Sequence, residues 1–418
     1  MSFNPFLEKP RAVEDCLMSW GDMFPRAYAK DEVSPYTKAR AILMNGTEFE
    51  AVKCKHHFNR HFTDNEARRK VALLRRSEAQ QQKLISLLKP TNESILEQTI
   101  GYEQLAVDLT AELARGATST VFKKALDFAL LEDFDHLYRY SDLLEFDTGI
   151  RAERLVGAYT EIMPGRPTIA HHRHPFDTVR PSAAETSVDL KTKLGIGIIT
   201  AAEQQTMNYY MNIAPFYDNQ IGRELYAEIG MVEEDHVSHY GSLMDTKATL
   251  FEDLLLHEYT ECYLYYSMFE DESDGHIRSI YEMMLETEIA HLHYAKDMLQ
   301  EFEGKDYSEV VGSGEFPELI KLHENKDYVR EVLAETVTLT ANEEGYAELD
   351  DLPDDAHFFK YQHTVNASPE EERGHAVIER YIERNGEDYR FEERPNPIES
   401  LRSRTSDNYT LGRVKNKK

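Results

Sequence analysis

Residues 225–240 read Leu-Tyr-Ala-Glu-Ile-Gly-Met-Val-Glu-Glu-Asp-His-Val-Ser-His-Tyr. At helical spacing Leu225, Ile229, Glu233, His236 and Tyr240 share one stripe. A carboxylate and an imidazole therefore stand on a face that a core-packed helix fills with apolar groups. Upstream, Ile196, Ile199, Glu203, Met207 and Tyr210 form a second such stripe, and Glu203 precedes Glu233 by 30 residues. That interval fits a helix that runs out, turns and returns, with both acidic positions at one height. A carboxylate and a histidine at i and i+3 project from the same side of the helix. Such a hairpin carries half of a site for two metal ions.

The pattern recurs along the chain. Glu103 precedes Asp133/His136, Glu203 precedes Glu233/His236, Glu258 precedes Glu288/His291, and Glu344 precedes Glu372/His375. The first three intervals are 30 residues and the fourth is 28. With 17 histidines in 418 residues, composition alone yields about two Glu-x-x-His matches against the three present, so that motif by itself decides little. The repeated upstream glutamate carries more weight. Leu254, Glu258, Cys262 and Tyr265 repeat the mixed stripe, as do Tyr281, Leu285, Glu288, His291 and Ala295. A buried carboxylate must be protonated, paired or bound to a cation. Lysine and arginine are almost absent from these stripes, which points to metal.

Composition bounds the alternatives. The chain carries 47 basic and 76 acidic residues, a net charge of −29, which argues against nucleic acid as a partner. No run approaches the length of a membrane span, and the first residues lack the apolar core of a signal peptide. Three separated cysteines, Cys16, Cys54 and Cys262, suit a reducing cytoplasm. No Cys-x-x-Cys pair exists to build a four-cysteine iron site or a zinc ribbon.

The expected fold class is all-α. Residues 1–91 read as a helical N-terminal region whose basic patch (Arg68, Arg69, Lys70, Arg75, Arg76) and His56, His57 and His61 form a solvated face. Helical pairs are expected at 92–115 and 118–145, 187–212 and 216–244, 250–270 and 275–302, and 326–350 and 354–387. The proline-rich stretch 146–186, with His171, His172 and His174, reads as a surface connection, and 303–325 as a second irregular one. Ser368-Pro369-Glu370-Glu371 reads as an N-cap, a first-turn proline and an N3 glutamate that break the last helix before Glu372. Residues 391–418 read as a mobile basic tail.

Glu103-Gln-Leu-Ala, Glu344-Gly-Tyr-Ala, Glu233-Glu-Asp-His, Glu288-Ile-Ala-His and Glu372-Arg-Gly-His-Ala resemble the ligand segments of the ferritin-like superfamily, especially its rubrerythrin branch. Members of that family hold two iron ions in a four-helix bundle whose two hairpins are joined by a long crossover. The resemblance implies two tandem bundles, 92–247 and 248–390. The first would use Glu103, Asp133, His136, Glu203, Glu233 and His236, and the second Glu258, Glu288, His291, Glu344, Glu372 and His375. A rival pairing joins the second and third hairpins, although the turn at 245–249 is too short for the family's crossover. Asp133 stands where Glu is usual, and the rubredoxin-like module is missing together with its cysteines.

Carboxylate-rich ligands with one imidazole per ion suit iron, or alternatively manganese. The implied activity is a di-iron oxidoreductase that reduces peroxide or dioxygen with electrons from an unidentified donor. Glu203, Glu233, His236, Glu258, Glu288 and His291 are the expected catalytic ligands. Tyr209, Tyr210, Tyr265 and Tyr266 are candidate electron carriers set against ordinary core packing, and Asp235 and Glu286 are candidate partners for the histidines. Cys262, one turn from Glu258, is a candidate for the pocket lining. The alternatives are a di-iron oxygenase acting on an organic substrate, non-catalytic iron binding, storage or sensing, and a helical scaffold with decayed sites. A homo-oligomer is compatible with all of them.

Overall fold

The computed structural model describes residues 3–157, 159–366, 372–388 and 390–411. The expected break at Ser368-Pro369-Glu370-Glu371 lies outside the described residues. The chain is predominantly helical. The long helices are α1 (Pro35–His61), α2 (Asn65–Ser86), α3 (Ile95–Gly116), α4 (Thr120–Thr148), α5 (Leu190–Ile213), α6 (Gln220–Gly241), α7 (Leu250–Asp271) and α8 (Gly275–Glu303). Among the described residues, no helix is long and apolar enough to cross a membrane.

Capping residues explain where these helices begin. Ser34, Asp64, Ser119, Asn219 and Asp274 each accept a hydrogen bond from a backbone N–H of the first turn. Ser94 with Glu97, and Thr249 with Glu252, form reciprocal capping boxes. At the far ends of α4 and α8, Gly149 and Gly304 take left-handed φ values of 73° and 69°, which a residue with a Cβ adopts only under strain. Connections of a few residues then fold α1 against α2, α3 against α4 and α7 against α8.

These helices fall into two compact units whose segments interleave in sequence. One comprises Met1–Asn92, Ser187–Ala202 and Asp245–Leu322, and the other Glu93–Thr186, Glu203–Met244 and His323–Lys418. The tandem partition at residues 92, 247 and 390 is thereby replaced. The N-terminal region 1–91 shares a unit with 248–322, and residues beyond 322 share one with α3, α4 and α6. Within the first unit Arg40 of α1 pairs with Asp271 at 2.7 Å and Glu272 at 3.2 Å, clamping the end of α7. Within the second, the core is built from Ile100, Val107, Leu130, Leu137, Tyr210 and Ile229 among others.

The fourth expected helical pair forms only in part. Residues Lys326–Thr336 make helix α9, and the chain then turns into strands β1 (Leu339–Asn342) and β2 (Gly345–Glu348), paired antiparallel with Asn342 opposite Gly345. Thr336-Val337-Thr338-Leu339-Thr340 is rich in β-branched residues, which lose side-chain freedom in a helix and pack readily on a pleated strand. Helices α10 (His357–Val365) and α11 (Arg373–Asn385) follow, and α11 packs on α4 and α6.

The 146–186 connection also departs from expectation. His171 and His172 are buried, and so are Arg166 and Arg173. Both arginines reach Glu132 of α4, Arg173 at 2.6 Å and Arg166 at 3.5 Å. This carboxylate inside α4 draws the loop inward, because each buried charge requires an opposite partner. The tail is likewise anchored where it is described: Asp407 pairs with Arg139 of α4 at 2.9 Å and with His375 of α11 at 2.5 Å.

Candidate metal centres

In the second unit, α3 supplies Glu103, α4 supplies Asp133 and His136, α5 supplies Glu203, and α6 supplies Glu233 and His236. All six are buried. They form two overlapping cages. Glu103, Asp133, His136 and Glu233 make one, and Asp133, Glu203, Glu233 and His236 the other. In each, the four candidate ligand atoms lie within 4.8 Å of one another. Asp133 and Glu233 belong to both cages, as carboxylates that bridge two ions must.

His236 Nδ1 faces inward, 3.3 Å from Asp133 Oδ1, 3.7 Å from Glu203 Oε2 and 3.3 Å from Glu233 Oε2. His136 Nδ1 lies 3.1 Å from Glu233 Oε1. Glu103 Oε2, both oxygens of Asp133 and of Glu203, and Glu233 Oε2 accept no hydrogen bond. So many unsatisfied buried oxygens around one point is costly in a protein interior unless cations collect there. Four carboxylates carry four negative charges, which two divalent ions would balance.

Neighbouring side chains fix these groups. His236 Nε2 lies 2.6 Å from Glu132 Oε2, the carboxylate that also holds Arg173. A carboxylate on Nε2–H leaves the Nδ1 lone pair directed at the cage. Tyr210 donates its hydroxyl to Glu103 Oε1. Asp235 is only half-buried and Glu286 is exposed, so Glu132 rather than either expected residue partners the histidine.

Without metal, protons take the place of cations. Burial pushes the Glu103 and Glu203 carboxyls well above the usual carboxylate range, and nearby carboxylates add to the effect. Burial acts the same way on Glu233, but His136, hydrogen-bonded to it, and the neighbouring His236 outweigh it and hold that group down to about 2. Burial would depress His236, yet Asp133, Glu132 and Glu203 raise it well above the ordinary imidazole value.

The first unit assembles a different set. Glu258 of α7 and Glu288 and His291 of α8 meet Glu78 of α2, their ligand atoms again within 4.8 Å of one another and all buried. Glu48 and Lys55 of α1, Gln81 of α2 and Glu261 of α7 surround them, also buried. Lys55 Nζ lies 2.8 Å from Glu78 Oε1, 3.0 Å from Glu258 Oε1 and 3.7 Å from Glu261 Oε2. Gln81 Nε2 donates to Glu288 Oε1 at 2.5 Å and to Glu48 Oε1 at 3.4 Å. Tyr265 donates to Glu48 as Tyr210 does to Glu103.

The ligands expected to complete this second set lie elsewhere. Glu344 is exposed at the turn between β1 and β2. Glu372 caps α11, accepting from the His375 backbone N–H at 2.9 Å, and gathers with His172 and Glu228 in the second unit. His375 turns Nδ1 to Asp407. All three belong to the second unit, whereas Glu258 belongs to the first. The residues in their place carried a readable signal: Glu48 precedes Glu78 by 30 residues and Gln81 follows three later. Shifted by 55 residues, Glu48, Glu78 and Gln81 become Glu103, Asp133 and His136, while Glu203, Glu233 and His236 become Glu258, Glu288 and His291. A search for carboxylate-x-x-histidine passes over Gln81.

The aromatic candidates divide. Tyr210 packs against Tyr140 and Tyr226 at centroid distances of 5.2 and 5.6 Å, and Tyr209 stacks on Tyr102 at 4.4 Å. Tyr266 instead stacks on Phe3 at 4.4 Å, and Cys262 is buried with its thiol pushed up by burial. Comparison with protein-family models, with curated proteins and with solved structures finds no match in any of the three.

Proposed function

We propose that this chain is a di-iron carboxylate oxidoreductase of the ferritin-like, rubrerythrin type, with its dinuclear centre among α3, α4, α5 and α6. Peroxide or dioxygen is the electron acceptor. The observation that carries this reading is the pair of four-residue cages sharing Asp133 and Glu233. The four helices form the ferritin-like bundle in this reading, and residues 149–189 supply its long crossover. Oxygen-rich ligands with one imidazole per ion suit iron, with manganese as the closest substitute.

Two bound iron ions would supply the two electrons that reduction of peroxide to water requires. The protein's own part is to position and to exclude. Glu132 holds His236 with Nδ1 free for a metal, Tyr210 fixes the terminal carboxylate Glu103, and burial of all six side chains keeps bulk water from the centre. His236, kept protonated without metal by Asp133, Glu132 and Glu203 around it, must lose its Nδ1 proton to bind an ion, so loading releases a proton.

The test is anaerobic loading with Fe(II), followed by stopped-flow mixing with hydrogen peroxide and, separately, with dioxygen. Rapid bleaching of the ferrous signal by peroxide supports the proposal. An unchanged ferrous spectrum with peroxide, together with oxidation by dioxygen only when an organic partner is present, replaces it with an oxygenase. Oxidation that deposits ferric iron beyond the bound pair replaces it with storage.

A further inference from the structure

We propose that the first unit binds one divalent transition-metal ion through Glu78, Glu258, Glu288 and His291, with the Lys55 ammonium standing in for a second ion. The comparison between the two centres carries this assignment. In the second unit, His236 Nδ1 lies 3.3, 3.7 and 3.3 Å from Asp133, Glu203 and Glu233. In the first, His291 Nδ1 lies 2.9, 3.9 and 3.3 Å from Glu78, Glu258 and Glu288. These are the residues that the 55-residue shift relates, so one cage is retained, with Glu78 in the place of Asp133.

The other cage is not. Its imidazole, His136 in the second unit, is replaced by Gln81, whose amide N–H groups donate to Glu48 and Glu288 and so occupy the oxygens a metal would need. An amide nitrogen has no lone pair to offer a metal. Seven residues after Glu48, where the other centre has Thr110 after Glu103, stands Lys55. Its ammonium bridges Glu78 and Glu258 through one oxygen of each.

One ammonium does not balance the buried cluster, which holds five carboxylates: Glu48, Glu78, Glu258, Glu261 and Glu288. Oε2 of Glu258 and Oε2 of Glu78, the oxygens Lys55 does not reach, accept no hydrogen bond, and these side chains are wholly enclosed. Positive charge beyond Lys55, from bound protons or from a metal ion, offsets the remaining carboxylates, and the retained oxygens and nitrogen suit a single ion with nitrogen–oxygen ligation.

The test is Co(II) binding to the full-length chain, read by elemental analysis and by visible absorption. Asp133→Asn combined with Glu233→Gln removes both shared carboxylates of the other centre, and circular dichroism establishes that the variant folds. That variant is expected to bind one Co(II) per chain and to lose it when His291→Gln is added. Replacing Lys55→Thr and Gln81→His in the same background restores the second cage and should raise the count to two. No Co(II) bound by the double variant, or two bound while Lys55 and Gln81 are intact, overturns the proposal. Should the double variant not fold, the native chain decides: three ions falling to two on His291→Gln support it, and a count that His291→Gln leaves unchanged refutes it. The second unit is judged separately, by whether Asp133→Asn with Glu233→Gln removes two ions.

Discussion

A single carboxylate, Glu132, links the ligand cage to the loop folded over it. Its Oε2 meets His236 Nε2 at 2.6 Å and Arg173 at 2.6 Å, and Arg173 with His236 outweighs the burial that would otherwise raise it. Glu132→Gln keeps the size but removes the charge that orients His236. Loss of such an outer partner weakens metal binding by about 10–100-fold. Calorimetric titration with Mn(II) should show that loss at the α3–α6 centre alone, with the Glu78–His291 site unaffected. A general destabilisation would weaken both. The sequence hid this role because Glu132 adjoins Asp133 on a helix and points to its neighbour's other side. No spacing rule singles it out from the chain's other glutamates.

At the scale of elements, the hairpins built from mixed stripes were legible. Helices expected at 250–270 and 275–302 appear as Leu250–Asp271 and Gly275–Glu303, because the N-caps Thr249 and Asp274 agree there with the apolar periodicity. The sequence was misleading where periodicity was weak and a motif took its place. Glu344 and Glu372 fitted the interval, yet the β-branched run around Thr338 favours a strand and Glu372 serves as a helix cap. The first hairpin escaped notice for the opposite reason, since Gln81 and Lys55 disguise a ligand stripe as a basic surface. Other anchors lie far apart in sequence. Asp407 compensates Arg139, which is 1% exposed, and thereby straps the C-terminal segment to α4. Asp407→Ala leaves that guanidinium with Asp135 as its only carboxylate and the Gly374 carbonyl beside it, and strips His375 Nδ1 of its partner. Removing one member of a buried ion pair costs about 3–5 kcal/mol, so the urea midpoint should fall by a corresponding amount.

For the whole molecule, buried carboxyls couple stability and metal binding to pH in opposite directions. Burial raises Glu258 from 4.5 to about 8, and Glu103 and Glu203 rise as well. A carboxyl whose folded value lies above its unfolded one stabilises the metal-free fold at low pH. That contribution fades as pH climbs through the folded value. The metal-free protein should therefore melt progressively lower between pH 4.5 and about 8. Mn(II) affinity should climb over the same window, because Glu103, Glu203 and Glu258 must shed their protons to bind; thermal scans and titrations at several pH values check both trends. The interleaving of the two units also bears on how the protein is made. The α1–α2 hairpin ends at Ser86 and α7, which packs on α1, begins at Leu250, so the ribosome must add more than 160 residues before they can meet. At about 5–20 residues per second, the newborn α1–α2 hairpin waits on the order of ten to thirty seconds with its acidic seam uncovered. Throughout that delay Lys55, on the same hairpin as Glu48 and Glu78, is the countercharge already in hand.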